Sequence, residues 1–150
     1  MIEFVLQGLA AAVGTAAFAV LFKVPGRQCA VCGLVGLAGW AVYTVCIPFM
    51  AVALASFLAS VVIALLARIL AVYCKVPANV IMIPGIFPII PGISIYNMIY
   101  NLFIGNTVQG LSGGFAVLKI IGAMVLGMVA VFSLPRSMFR KHFRKSRKVS

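Results

Sequence analysis

The chain has 150 residues, 65% of them hydrophobic and 9% charged, with a mean hydropathy of +1.24; this is far more apolar surface than a soluble domain needs for its core, so water is not its main solvent. At about 20 helical residues per crossing of a ~30 Å bilayer core, about five spans and their connections consume this length, and little remains for a soluble catalytic domain. The net charge of +11 is local, because seven of the twelve basic residues fall between Arg136 and Lys148, and a tail with neither a zinc-ligand pattern nor a fold of its own excludes a nucleic-acid reader.

The composition predicts an all-α polytopic membrane bundle, with residues 1–134 as the transmembrane domain and 135–150 as a basic tail. Phe4–Phe22 is the first span. It opens Met1-Ile2-Glu3 with no basic n-region or small-residue cleavage site, which reads as a retained helix rather than a leader. Its Gly and Ala content suits close helix approach in lipid. Lys23-Val24-Pro25-Gly26-Arg27 ends it.

The second span runs from Cys29 to about Cys46, carrying Gly33, Gly36 and Gly39, with Trp40 and Tyr43 approaching the far interface. Cys29-Ala30-Val31-Cys32 has redox spacing, but that chemistry needs a helix start beside a sheet, so the pair reads as small helix residues. The four cysteines and His142, alone in the tail, assemble no metal set, and no cofactor is called for.

The third span, Phe49–Tyr73, places Ser56, Ser60 and Ala64 four apart, a small-residue packing face, and carries Arg68 near its end. After the polar break Cys74–Asn79, residues Val80–Ile104 are apolar but interrupted by Pro84, Pro88 and Pro91. Asn106–Gly114 reads as an uncharged, Gly-rich loop. Phe115–Leu134 is the fifth span, stopped by Pro135, with Lys119 near its outer end, where it snorkels or faces a cavity.

Lys23 and Arg27 lie in the first connection, none in the second, Lys75 in the third, none in the fourth, and seven basic residues in the tail. The positive-inside rule then predicts the N-terminus outside and the C-terminus inside, the tail touching anionic lipid. There is no convincing internal repeat. An odd number of spans nonetheless means that two such halves would lie in opposite orientations, as in inverted-repeat transporters.

Each proline within a helix removes a donor and costs about 3 kcal/mol, with about 1 more for glycine. Two Pro-Gly pairs and a central proline therefore predict a fourth span discontinuous over Pro84–Pro91, tolerable only where protein or a wet cavity satisfies the backbone. The half-helix restarting after Pro91 and Gly92 offers N–H groups and its positive dipole end to a carboxylate. Ser94, Tyr96, Asn97 and Asn101 supply neutral polar groups. The candidate substrate site comprises Pro84, Gly85, Pro91, Gly92, Ser94, Tyr96, Asn97 and Asn101, with Arg68 either attracting the anionic substrate or snorkelling to the cytoplasmic end of its span. The plainer alternative is a packing kink, with Asn97 and Asn101 as interhelical glue.

Pro84-Gly85-Ile86-Phe87-Pro88-Ile89-Ile90-Pro91-Gly92-Ile93-Ser94-Ile95-Tyr96 resembles the signature of the threonine/serine exporter family, in its smaller C-terminal membrane half. The layout of spans and basic tail is similar to that half from end to end. The resemblance implies a bacterial cytoplasmic-membrane secondary transporter of about ten spans, in one chain or split into two subunits. This chain would be the small subunit. It implies export of threonine and serine with a second membrane subunit, or of succinate-type dicarboxylates in some two-subunit members. The other membrane half and its soluble domain lie outside this sequence, so transport is expected to need them.

Glu3, the only acid, is expected at the interface, with proton coupling as its functional alternative. No activated Ser or Cys and no ligand cluster supports an enzyme, and a Ser94–Lys119 dyad rests on residue type alone. A non-transporting scaffold is the rival from another class. A channel lacks a charged ring or filter-like repeat.

Overall fold

The computed structural model describes residues 2–134. The expected basic tail, with Pro135 and His142, lies outside the described residues. Within them are six α-helices: α1 (Ile2–Leu21), α2 (Gly26–Cys46), α3 (Val52–Cys74), α4 (Ala78–Ile86), α5 (Gly92–Phe103) and α6 (Thr107–Ser133), with a 3₁₀ turn at Phe87–Ile89. Four of them (α1, α2, α3 and α6) are long and apolar enough to cross a membrane, and the bent pair of α4 with α5 makes a fifth when counted as one span. No strand is present among the described residues.

Helix α3 is the central post, packed against α2, α4 and α6. Its small residues make this possible. Ser56, Ser60 and Ala64, at spacing four, are fully buried, together with Ala55, Ala59 and Ala67, so neighbouring backbones approach where lipid supplies no hydrophobic drive. The two buried hydroxyls are satisfied within the helix, Ser56 Oγ donating to the Val52 carbonyl at 2.8 Å and Ser60 Oγ to the Phe57 carbonyl at 2.7 Å. At the crossing of α1 and α2, a Cβ on Gly36 would collide with the Thr15 side chain.

Helices α1 and α3 end alike. Lys23 and Lys75 adopt left-handed conformations (φ 56° and 55°), and the next amides reach back five residues, Val24 to Ala19 and Val76 to Ala71. This is the bond of a Schellman ending, completed here by lysine where glycine is usual.

One expectation is corrected. Asn106–Gly114 is not a Gly-rich loop: α6 begins at Thr107 and runs through it. Its glycines serve close packing of α6 on α5, where a Cβ on Gly110 would meet Leu102 at 2.6 Å and one on Gly113 would meet Met98 at 3.5 Å. The sharp turn falls earlier, at Gly105, whose φ of +83° favours glycine. Lys119 consequently lies midway along a 27-residue helix rather than near its outer end.

Candidate substrate site at the broken helix

The discontinuity predicted over Pro84–Pro91 is present, and α4 and α5 meet at a bend of 57°. Its detail follows from where the prolines remove donors. Pro84 stands inside α4, and the carbonyl it leaves without a helical partner, that of Val80, instead lies 3.8 Å from Cys32 Sγ on α2. Pro88 and Pro91 strip the Pro84 and Phe87 carbonyls of their usual partners. Shorter bonds replace them, from the Phe87 amide to Pro84 and from the Ile90 amide to Phe87, which makes 87–89 a 3₁₀ turn.

Pro91 then turns the chain, with φ −75° and ψ 60°, while the Gly92 amide donates to the Ile90 carbonyl at 2.7 Å. This inverse γ-turn uses the carbonyl that the Ser94 amide would meet in a continuous helix. Among the described residues the Ser94 amide has no acceptor, so it stands free at the positive end of α5.

The sequence-predicted residues fall into three places. Pro84 and Gly85 are buried in the bundle, where a Cβ on Gly85 would meet Val35 at 2.9 Å and Ile63 at 3.4 Å. Pro91, Gly92, Ser94, Tyr96, Asn97 and Asn101 are together at the break and along α5. Ser94, Asn97 and Asn101 follow helical spacing and share one stripe, Asn101 Nδ2 donating back to the Asn97 carbonyl at 2.7 Å. The Tyr96 and Tyr100 rings stack alongside with centroids 6.1 Å apart. Arg68 lies elsewhere: its guanidinium donates to the Val131 and Leu134 carbonyls at the end of α6 and sits 5.2 Å from the centre of the Phe132 ring.

Helix α5 packs mainly on α6 and has no buried residue. Its polar stripe and Tyr96, 65% exposed, therefore form an open face rather than an enclosed pocket within this chain. A space of about 160 Å³ lies on the other side of the turn, where Phe87 and Pro88 meet Ala10, Ala11, Gly14, Thr15 and Phe18 of α1. It is apolar, since the Thr15 hydroxyl is tied to the Ala11 carbonyl at 2.7 Å, and the Phe18 and Phe87 rings stack at 3.9 Å beside it. Sequence reasoning did not identify this α1 face, whose only local sign is small residues at Ala10, Ala11 and Gly14.

Among the described residues no group of His, Cys, Asp or Glu has the makings of a metal site. Cys29 and Cys32 are buried in α2 with free thiols, Cys29 Sγ lying 3.4 Å from the Val24 carbonyl.

Comparison with known proteins gives a family match. Residues 7–134 match the family described as "Threonine/Serine exporter, ThrE". No curated protein and no solved structure matches the chain.

Proposed function

From the premise that this chain belongs to the threonine/serine exporter family, of which it is a multi-pass membrane component, we propose how it moves its substrate. It acts as one half of a secondary transporter that exports small carboxylate-bearing metabolites of the threonine and serine type, with a complementary membrane half supplying the facing wall. It lies in a bacterial cytoplasmic membrane with its N-terminus outside and its C-terminus inside, residues 1–134 forming the membrane domain and 135–150 a lipid-facing tail. It carries out no catalysis.

The observation that carries this reading is the free Ser94 amide at the start of α5, set at a 57° break and followed by the open stripe of Asn97 and Asn101. An N–H at a helix start with its dipole suits a carboxylate. Pro91 and Gly92 keep the approach clear, since nothing lies within 4 Å of a Cβ built on Gly92. Asn97, Asn101 and Tyr96 would meet the amino and hydroxyl groups, and buried Pro84 and Gly85 would hold the bend. Arg68, bonded to the end of α6, would brace the bundle.

The test is co-expression with a candidate complementary half, followed by efflux of labelled threonine, serine and succinate from loaded cells. Efflux of threonine or serine that needs both proteins supports the reading. Efflux of succinate alone reassigns the substrate to dicarboxylates, and no efflux of any of them leaves a scaffold.

A further inference from the structure

Lys119 stands twelve residues past the start of α6 at Thr107 and fourteen before its end at Ser133. At about 1.5 Å per residue that is roughly 18 and 21 Å from the two ends, close to the middle of a ~30 Å hydrocarbon layer. Its four-carbon stem does not cover such a distance, and snorkelling serves lysines near helix ends.

Its direction is equally constrained. Val117, Ile120, Met124 and Gly127 lie on the buried face of α6, and at 100° per residue Lys119 points about 120° away from the middle of that face. It is exposed, and the one acidic side chain in the sequence is Glu3. Around it, Ser112, Ala116, Ala123, Leu126 and Ala130 alternate with it at spacings of three and four, a narrow seam of mostly small residues that a second helix can approach closely. Ala123 is half-buried and the others are exposed.

We infer that this outward face of α6 is the docking surface for a helix of the partner half that carries a carboxylate at mid-membrane depth, paired with Lys119. The inference rests on the two-half reading above and names where the halves meet. Charge complementarity selects the occupant, because an uncompensated cation at this depth is costly and a facing acid neutralises it. A second copy of this chain has no acidic side chain at that depth: its one, Glu3, lies in the first turn of α1, at the end of a span.

The experiment uses the full chain with a partner half that supports efflux, and measures the partner recovered with it in mild detergent. Lys119→Met and Lys119→Glu are expected to lower recovery at least about tenfold, and Lys119→Arg to preserve it. Changing one mid-span carboxylate of the partner to lysine should restore recovery with Lys119→Glu. Ala116 or Ala130, replaced by the photo-activatable p-benzoylphenylalanine, should cross-link to the partner in the otherwise unaltered chain, independently of any folding defect at Lys119.

Undiminished recovery overturns the inference, with lost efflux assigning Lys119 to an anionic solute and retained efflux assigning it to lipid. Absence of both cross-links overturns it as well. Loss of efflux by the unaltered pair while its complex and cross-links persist would instead strike the transport reading and leave the docking surface standing.

Discussion

Cys32 Sγ on α2 lies 3.8 Å from the carbonyl oxygen of Val80 on α4, the carbonyl that Pro84 deprives of its helical donor. A thiol is a weak donor, yet in a dry bundle an unsatisfied carbonyl is costly enough for a weak donor to matter. The second cysteine of a redox-spaced pair thus has a structural task. Cys32→Ala is expected to destabilise the chain by about 1–2 kcal/mol through lost packing and lost bonding. Pro84→Ala restores the amide that serves Val80, so the cysteine's contribution should shrink in that background by about 0.5–1 kcal/mol. Unfolding in detergent of both single variants and the double variant measures this, and additivity within about 0.3 kcal/mol would refute the link.

Where α3 crosses α6, a Cβ on Gly127 would fall on Ser60 Oγ and come within 2.8 Å of the Phe57 carbonyl. The backbone carbonyl cannot rotate away. Gly127→Leu should therefore separate the two helices at a cost of about 1–3 kcal/mol or more, read as a lower midpoint of thermal unfolding in detergent. Gly122→Leu, on the same helix with open space around it, should leave that midpoint within about 1–2 °C of the unaltered protein, where about 1 kcal/mol corresponds to about 2–4 °C.

Gly92 and Gly110 separate function from folding at the two ends of α5. Nothing lies within 4 Å of a Cβ on Gly92, whereas a Cβ on Gly110 meets Leu102 at 2.6 Å. Gly92→Leu should leave insertion and unfolding near those of the parent and reduce efflux at least about tenfold, by filling the approach to the Ser94 amide. Gly110→Leu should lower the yield of folded protein and efflux together. Parental efflux from well-folded Gly92→Leu would remove the break from substrate binding.

Arg68 ties α3 to the last carbonyls of α6, donating to Leu134 at 2.9 Å and lying over Phe132. These carbonyls lie where the helical donors of α6 run out, and Arg68 adds to the one bond that the Leu134 amide gives Val131. Arg68→Met is expected to cost about 2 kcal/mol of stability, with the apparent KM for efflux unchanged and the maximal rate falling with the amount of folded protein. A raised KM at normal abundance would instead place Arg68 in contact with substrate.

The sequence disclosed most where a residue's chemistry acts on its own backbone. Pro91 lacks an amide whatever surrounds it, so the end of one helical run and the start of another at Gly92 were legible, as was the buried face of Ser56, Ser60 and Ala64 from its spacing. Pro84 was less so, because its effect depends on a thiol 52 positions earlier in the chain, at Cys32. Gly110, Gly113 and Gly114 looked like a loop because glycine has the same local signature in a turn and at a tight helix crossing; only Leu102 and Met98 opposite them decide between the two. Misplacing the start of α6 also moved Lys119 from mid-membrane to its edge. The carbonyl partners of Arg68 are more than 60 residues away, and no local pattern announces them.

The uncovered face of α5 bears on how a cell would maintain this protein. On the two-half reading proposed above, a copy made in excess of its counterpart would display asparagine and tyrosine side chains to lipid, where polar groups without partners are costly. Abundance would then be governed after synthesis, by how quickly each newly inserted copy finds company.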